Sequence, residues 1–331
     1  MPNSIFDAKP LRDEKAAYAY VEARIWPKGR VCPHCGVIDR SGLLKGKSTR
    51  IGVYKCYACR KPFTVKIGNI FEDSHVPMHL WLQAIVMMCS SKKGISTNQL
   101  HRVLGVTLRT AWHMSHRIRY AMDGSSGTGP LGGAGKVLEV DETFFGKRED
   151  AKPRPWQFNN ERGWHRRHPG YGDKIPIVTL VERGGKARSI KVENVRSATL
   201  FAAVMQNADP DSHLMTDEAT AYQRIGRFFV RHDTVNHHAE EWVRYEDGVK
   251  ASVNAAESFF SVFKRGMVGV YQHCTERHLH RYLAEFDFRF NTRAKLGVDD
   301  AARTEQAVIG AVGKRLTYRT TRSQTAQAPT A

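Results

Sequence analysis

The chain has 331 residues with 41% hydrophobic content, which is enough to build a buried core, so a largely disordered protein is excluded. It carries 51 Lys and Arg against 33 Asp and Glu, a formal net charge of +18, which favours a polyanionic partner such as nucleic acid. No apolar run approaches the roughly 18 residues of a membrane-spanning helix, and the N-terminus lacks an apolar export signal. We therefore expect no membrane partner and a cytoplasmic, nucleoid-associated location.

Two CxxC pairs follow a short N-terminal helical segment, residues 1–30. Their cysteines are Cys32, Cys35, Cys56 and Cys59. Each pair can sit on a tight turn whose thiolates converge, and two such turns complete a tetrahedral zinc site with no open position. In a reducing cytoplasm this interpretation is favoured over a disulfide. With strand-like segments between and after the pairs, residues 31–72 predict a zinc ribbon that binds one structural Zn²⁺.

A helix followed by a helix-turn-helix is predicted over residues 76–122, with the turn near Gly105. Ser96 or Thr97 can cap the first helix of the pair, and Thr107 can cap the second. Basic residues of the second helix could reach phosphates and base edges in a major groove. The candidates are Arg109, His113, His116, Arg117 and Arg119. A plain packing unit is the alternative, because helical hairpins with a few basic residues are common.

A flexible linker is predicted at residues 123–135, where Gly and Ser are too frequent for packing. The domain that follows, residues 136–300, begins with a strand that presents Asp141 and Glu142 near its end. Adjacent residues on a strand point to opposite faces, so only one of the two can face a common site. We choose Asp141, because it has the parity of Val137.

Two further carboxylates follow: Asp217 ends a short strand, and Glu257 lies on the helix VNAAESFFSVFKRG, residues 253–266. At about 100° per residue, Glu257 and Lys264 return to nearly the same direction, with Asn254 close by. Taken singly, these residues fit a strand-end cap and a solvated helix face. Taken together, the carboxylates of Asp141, Asp217 and Glu257 supply the hard oxygen ligands that two-metal phosphoryl transfer requires, around two Mg²⁺ (or Mn²⁺) ions.

Several stretches resemble zinc-ribbon insertion-sequence transposases with a DDE-type, ribonuclease-H-like catalytic domain, and the resemblance extends to about residue 300. They are VCPHCG (31–36), VDETFFGK (140–147), TDEATAY (216–222), VNAAESFFSVFKRG (253–266) and HLHRYLAEFDFRFNTR (278–293). The resemblance implies a multidomain α/β protein with an N-terminal zinc ribbon, a helix-turn-helix and a ribonuclease-H-like mixed-sheet catalytic domain.

The same resemblance implies that Asp141 and Asp217 are metal ligands and that the third ligand is Glu257 or Asn254. We take Glu257, with Asn254 assisting. Lys264 on the same helix is then expected to hold a DNA phosphate. Its neighbour Arg265 is a further DNA-binding candidate.

The implied activity is that of a DNA transposase, which binds insertion-sequence ends and catalyses metal-dependent strand cleavage and strand transfer by in-line attack. Double-stranded DNA, both element ends and target, is the expected partner. Joining two ends requires a homodimer or a higher oligomer. The alternatives are a DNA-binding regulator or inactive domesticated remnant, and a nuclease of the same fold.

Two basic segments remain. Residues 147–174 interleave Trp156 and Trp164 with Lys and Arg, which suits a mobile insertion that grips the DNA backbone and stacks on a base. A solvated basic loop is the alternative. Residues 301–331 are polar and basic, and we expect a disordered tail that can touch DNA.

Overall fold

The structure is a computed structural model that describes residues 4–124, 129–151, 156–159, 163–166, 171–235, 243–246 and 249–317. Its α-helices are α1 (Glu14–Ile25), α2 (Met78–Ser90), α3 (Thr97–Leu104), α4 (Leu108–Met122), α5 (Ser197–Asn207), α6 (Thr220–Gly226), α7 (Asn254–Gly266), α8 (Leu279–Asn291) and α9 (Asp300–Ile309). Its β-strands are β1 (Ser41–Leu43), β2 (Tyr54–Cys56), β3 (Pro62–Phe63), β4 (Leu131–Gly132), β5 (Val137–Phe145), β6 (Trp156–Asn159), β7 (Gly163–Arg166), β8 (Ile175–Glu182), β9 (Ala187–Lys191), β10 (Ala208–Asp209), β11 (His213–Asp217), β12 (Arg231–Val235), β13 (Arg244–Glu246) and β14 (Val249–Ala251). These elements form two compact units, one built mainly from residues before 124 and after 297, and the other from residues 124–297. Across the described ranges, no helix has both the length and the apolar character needed to cross a membrane.

The first unit contains a small antiparallel sheet in the order β1–β2–β3. Along β2, buried Tyr54 and Cys56 flank exposed Lys55, so one face of the strand is turned inward. That face packs with Phe63 and the partly buried Trp26. The predicted ribbon therefore has short strands and a small apolar core of its own.

Helices α3 and α4 form the predicted helix pair. Ser96 caps α3 by accepting a hydrogen bond from the Gln99 backbone N–H at 3.1 Å, and Thr107 caps α4 by accepting one from the Thr110 N–H at 3.1 Å. Between the helices, Gly105 has a φ of +66°, a left-handed conformation that glycine adopts without strain. The predicted caps and turn are confirmed.

The C-terminal segment is ordered where a disordered tail was predicted over residues 301–331. Helix α9 packs with the other helices of the first unit and buries Ala307 and Val308 completely. The guanidinium of Arg303 donates a hydrogen bond to a backbone carbonyl of α2 at 3.1 Å. The prediction is wrong as far as residue 317, because a narrow apolar stripe within a polar sequence is enough for a helix that packs. Residues 318–331 lie outside the described residues.

The linker predicted at residues 123–135 is ordered at its C-terminal end. Strand β4 pairs in parallel with β10, and Leu131 is buried in the core of the second unit. The predicted linker therefore ends before Leu131, whose apolar contact the glycine-rich composition concealed. Residues 125–128 lie outside the described residues.

The second unit is built on a five-stranded sheet in the order β12–β11–β5–β8–β9. Strands β5, β8 and β9 are antiparallel neighbours, and β11 and β12 continue the sheet parallel to β5. The long first strand, β5, is therefore central. The predicted α/β class with a ribonuclease-H-like mixed sheet is confirmed.

Helices cover both faces of this sheet. On one face α5 and α6 pack over Leu138 and Val140 of β5. On the other face α7 and α8 pack over Ile177 and Val181 of β8. Because side chains alternate along a strand, even-numbered residues of β5 point toward α5 and α6, and odd-numbered ones point toward the α7 side.

Candidate metal centre and active site

Four cysteine sulfur atoms converge in the ribbon. The Sγ atoms of Cys32 and Cys59 are 3.7 Å apart, and those of Cys35 and Cys56 are 3.7 Å apart. All four sulfur atoms lie within 4.8 Å of one another. A tetrahedral ion with Zn–S bonds of about 2.3 Å requires sulfur atoms about 3.8 Å apart. The donor atoms thus have the number, the type and the spacing of a four-thiolate zinc site.

Asp141 and Glu142 leave β5 in opposite directions. Asp141 has the parity that points to the α7 side of the sheet, where Ile177 of the paired strand β8 is buried. Glu142 lies on the side of α6, where its carboxylate accepts a hydrogen bond from the Tyr222 hydroxyl. The two acidic neighbours therefore have different surroundings.

Several acidic side chains come close to Asp141. Burial is the largest cause that raises the pKa of Asp141 to about 7. The negative charges of Glu142, Asp217 and Glu257 contribute to the same rise. Carboxylates from β5, β11 and α7 thus share one region, and such like charges require a proton or a cation to compensate them.

Asp217 ends β11, and α6 begins three residues later at Thr220. Its Oδ1 accepts a hydrogen bond from the Ala219 backbone N–H at 3.1 Å, so the turn orients the carboxylate. Two residues before Asp217, Met215 of β11 lies opposite Glu139 of β5. Asp217 and Asp141 are each two residues further along, which places them on the same face of neighbouring strands.

Helix α7 has the two faces predicted for it. Phe259 and Phe263 are buried against the sheet and α8. Glu257 lies half-buried in the first turn, whereas Lys264 is exposed. At 1.5 Å per residue, Lys264 is about 10 Å further along the helix axis than Glu257.

The other polar residues of α7 differ in position. Asn254 is the first residue of the helix and is half-buried. Arg265 is exposed, and its guanidinium donates a hydrogen bond to the Ser261 hydroxyl at 2.9 Å. Among the charges that raise the pKa of Asp141, the one contributed by α7 is that of Glu257.

The three candidate carboxylates are spaced more widely than the thiolates. Groups of three or more Cys, His, Asp or Glu side chains can hold a metal ion when their donor atoms are close together. Within the part of the chain that the structure describes, only the four cysteines form such a group with all donor atoms within 4.8 Å of one another. The oxygen atoms of Asp141, Asp217 and Glu257 are therefore not grouped as closely as the donor atoms of the thiolate site. A pair of ions about 4 Å apart requires an arrangement wider than a one-ion site.

One buried carboxylate of the site was not predicted. Glu139 is 1% exposed, and its Oε2 accepts hydrogen bonds from the backbone N–H groups of Ala255 at 2.7 Å and Ala256 at 3.2 Å. Its Oε1 accepts two from Arg183, at 3.0 Å from Nε and 2.8 Å from Nη2. A glutamate within an apolar strand, two residues before Asp141, is the sequence signal that could have identified it, since Glu is rarely buried unless it is paired.

The structure contradicts the prediction that Arg117 contacts DNA. Its guanidinium is buried and donates hydrogen bonds to the backbone carbonyls of Ile70 at 2.8 Å, Glu72 at 2.7 Å and Leu316 at 2.9 Å. These bonds join α4 to two loop segments of the first unit. Arg117 is thus a structural residue, and the basic pattern of α4 did not distinguish it from a surface residue.

Of the other basic candidates of α4, two are buried and two are at least partly exposed. His116 and Arg119 are buried, so the structure also contradicts their predicted contact with DNA. Arg109 is exposed in the first turn, and His113 is half-buried. DNA contact by Arg109 and His113 stays a prediction.

A two-stranded hairpin, β6–β7, lies within the basic insertion predicted at residues 147–174. Trp156 is 60% exposed and Phe158 is 59% exposed, on the same side of β6. The side chain of Trp164 lies outside the described residues. Base stacking by Trp156 and Trp164 stays a prediction.

Two family models match the chain. One, described as an ISXO2-like transposase domain, matches residues 131–291. The other, described as a transposase zinc-ribbon domain, matches residues 12–62. The two matched segments contain all four ribbon cysteines and all three carboxylates discussed above.

Similar proteins include an uncharacterized protein in transposable element ISH50 from Halobacterium salinarum, which is 24% identical over 294 residues, 87% of this chain and 94% of that protein. An uncharacterized transposase-like protein from Haemophilus influenzae is 30% identical over 108 residues, 32% of this chain and 81% of that protein. Among solved structures, the Mos1 strand transfer complex has a TM-score of 0.28 at 12% identity and covers 71% of this chain and 78% of that chain. The mariner Mos1 paired end complex with Mg has a TM-score of 0.27 at 12% identity, covering 71% and 79%. TM-scores this low leave the assignment to the sequence matches.

Proposed function

The chain belongs to the ISXO2-like family of DDE transposases, and we propose that it binds the ends of an insertion sequence and joins them to target DNA. In the proposed reaction, water first cleaves a phosphodiester at the element end and leaves a free 3′-hydroxyl. That hydroxyl then attacks a target phosphodiester, so one P–O bond forms and one breaks. No side chain of the chain acts as a nucleophile.

The observation that carries this proposal is the convergence of carboxylates from three separate elements. Burial, together with the charges of nearby carboxylates that include Asp217 from β11 and Glu257 from α7, raises the pKa of Asp141 on β5 to about 7. A fold gains no stability from grouping like charges in a desolvated region. Such a group is typical of a site that binds a cation or carries out chemistry.

The donor set fits Mg²⁺ or Mn²⁺. Asp141, Asp217 and Glu257 would hold the ions, because carboxylate oxygens are hard ligands and their wide spacing suits a two-ion site. When bound, the ions would supply a lowered pKa for the attacking water or hydroxyl and stabilisation of the leaving oxygen. The three side chains would fix where the reacting phosphate lies, and exposed Lys264 would hold a neighbouring phosphate.

The ribbon supports a DNA partner. Between residues 28 and 66 the chain has ten Lys and Arg but a single acidic residue, Asp39. Exposed Lys55 lies between Gly42 and Pro62 on the neighbouring strands, so no carboxylate stands opposite it in the sheet. An exposed cation on the surface of a sheet, such as Lys55, suits the phosphate backbone, whose contacts provide most of the affinity in non-specific DNA binding.

The ribbon would hold one Zn²⁺ through Cys32, Cys35, Cys56 and Cys59. Four thiolates fill a tetrahedral shell and leave no position for a substrate. The ion would therefore fix the turns that carry the basic residues and would take no part in the chemistry.

The test is a gel assay with purified protein, Mg²⁺, a labelled duplex from the DNA that flanks the gene, and a supercoiled plasmid. The control is D217N, which keeps the size of the side chain but loses its charge. We expect labelled strands joined to plasmid with the wild type and none with D217N, while both proteins bind the duplex equally.

Each other outcome identifies a different function. Duplex binding without cleavage by either protein would favour a DNA-binding regulator or an inactive remnant. Nicking without joining would favour a nuclease. Loss of duplex binding by D217N would assign Asp217 a folding role. Joining two ends also requires two copies in one complex, and the mass of the protein–DNA complex from light scattering tests this.

A further inference from the structure

A second polar group, formed by Glu139 and Arg183, adjoins the strands that carry Asp141 and Asp217. Glu139 of β5 and Met215 of β11 are register partners, each two residues before an acidic ligand candidate on its own strand. Glu139 uses one carboxylate oxygen to accept hydrogen bonds from the first turn of α7, and the other to accept two from Arg183. The group therefore connects the two strands that carry Asp141 and Asp217 with the helix that carries Glu257.

Arg183 contacts several segments of the chain around Glu139. Its Nη2 lies 3.2 Å from both the carbonyl oxygen and the hydroxyl of Ser252, just before α7, and 3.1 Å from the sulfur of Met215. Its own backbone N–H donates to the Val137 carbonyl of β5 at 2.9 Å. Arg183 thus holds Glu139 and also joins β5, β11 and the segment that leads into α7.

The chemistry of the contact suits precise placement of the helix. The first N–H groups of a helix have no partners within it, and its N-terminus carries a partial positive charge that favours a carboxylate. Apolar residues of similar volume often stabilise a core as well as a buried ion pair does. A buried carboxylate that binds two consecutive N–H groups instead fixes both the position and the rotation of the first turn.

We propose that Glu139, held by Arg183, is a positioning residue that sets the distance of Glu257 from Asp141 and Asp217 for metal binding. Glu257 follows Ala256 directly, so any shift of the first turn moves the Glu257 carboxylate with it. This inference rests on the proposed function in one respect, the identity of the three metal ligands.

The test is E139Q, which keeps the shape of the side chain but cannot accept all four hydrogen bonds. The first measurement is the Mn²⁺ concentration at the midpoint of the rise in Tm that the ion produces. We expect this midpoint to increase by about 10- to 100-fold, the usual effect of removing a group that orients a metal ligand. Strand joining should fall at low Mg²⁺ and recover in part at high Mg²⁺, with unchanged affinity for duplex DNA.

The matched control is E285Q. Glu285 forms a buried ion pair with Arg289 inside α8, a helix that carries none of the three candidate carboxylates. E285Q should lower Tm in the absence of Mn²⁺ but leave the Mn²⁺ midpoint at the wild-type value. A midpoint of E139Q equal to that of E285Q would overturn the proposal, because a purely structural role predicts this result.

Two further outcomes are informative. If E139Q does not fold, R183K provides the test, since it keeps the charge but loses the pair of guanidinium hydrogen bonds to Glu139. An unchanged Mn²⁺ midpoint in R183K would then overturn the proposal. If the wild type binds Mn²⁺ but joins no DNA, the proposed function fails, while a raised midpoint in E139Q still supports the positioning role. No effect of Mn²⁺ on the wild type would overturn both.

Discussion

The hydroxyl of Tyr222 donates a hydrogen bond to the carboxylate of Glu142, the residue next to Asp141. Burial raises the pKa of Tyr222 well above its ordinary value, and the charge of Glu142 adds to the rise, so the phenol stays protonated and keeps donating. Burial also raises the pKa of Glu142, and the bond from Tyr222 opposes this rise. The bond thus helps to keep a negative charge beside Asp141.

Removing this donor should slow the reaction. In Y222F the buried Glu142 carboxylate loses its hydrogen bond, and the pKa of Glu142 rises further. We expect strand joining to slow by about 10-fold, as when a second layer of contacts around a metal site is disturbed, with unchanged affinity for DNA. The joining rate measured from pH 6 to pH 9 should recover toward high pH. Y18F, at a buried tyrosine of the first unit, is the control, and equal rates for the two variants would contradict the role of Tyr222.

Stability should depend on pH through Asp141. Its pKa is about 7 in the folded chain against 3.8 ordinarily, so the folded state binds its proton more tightly than the unfolded state does. The wild type without Mg²⁺ should therefore lose stability as pH rises from about 4 to about 7. The full shift corresponds to about 4 kcal/mol at about 1.4 kcal/mol per unit.

The variant D141N has no carboxylate to ionise and should escape this loss. Without Mg²⁺, its Tm should exceed that of the wild type by several degrees at pH 8 and by much less at pH 5. Calorimetry at the two pH values measures the difference. Adding Mg²⁺ at pH 8 should raise the Tm of the wild type and reduce the gap. An equal gap at both pH values would mean that the charge of Asp141 is not the cause.

The third ligand can be identified by comparing two positions on α7. E257Q should abolish strand joining and the Mn²⁺-induced rise in Tm, because it removes the α7 charge that raises the pKa of Asp141. N254A should retain both, with a modest loss of rate. The reverse result would assign the ligand role to Asn254.

Zinc content tests the ribbon. Wild-type protein should contain about one zinc ion per chain, and C56S should contain almost none, because a four-thiolate site does not tolerate the loss of a ligand. Atomic absorption of the purified proteins measures this. C89S, at a buried cysteine outside the ribbon, should keep its zinc, and an equal loss in C89S would indicate general unfolding instead.

The sequence predicted those features that depend on local spacing. The CxxC pairs, the caps at Ser96 and Thr107, and the apolar side of α7 follow from periods of a few residues, and the structure agrees with each. Alternation along β5 also separated Asp141 from Glu142 correctly. These patterns act within one element, so no knowledge of its neighbours is needed.

Features that depend on a distant partner were missed. The role of Glu139 depends on Arg183 and on the start of α7, far away along the chain. The ordered C-terminal segment and the end of the linker depend on contacts of Val308 and Leu131 that composition does not reveal. Basic residues of α4 were taken for a binding face because a helical pattern does not specify which face is enclosed.

Arg117 and Arg109 on α4 should therefore respond to mutation in opposite ways. R117M removes three hydrogen bonds to backbone carbonyls and should cost about 1–3 kcal/mol of unfolding free energy. Since Arg117 is enclosed, duplex affinity measured at a temperature where the variant is folded should not change. R109A should lower Tm by less than R117M does, weaken binding to all duplexes alike, and reduce the slope of log affinity against log salt by about 1. Fluorescence anisotropy over a range of salt concentrations, combined with thermal melts, separates the two effects. A reduced salt slope in R117M at unchanged Tm would restore Arg117 as a DNA contact and contradict its structural role.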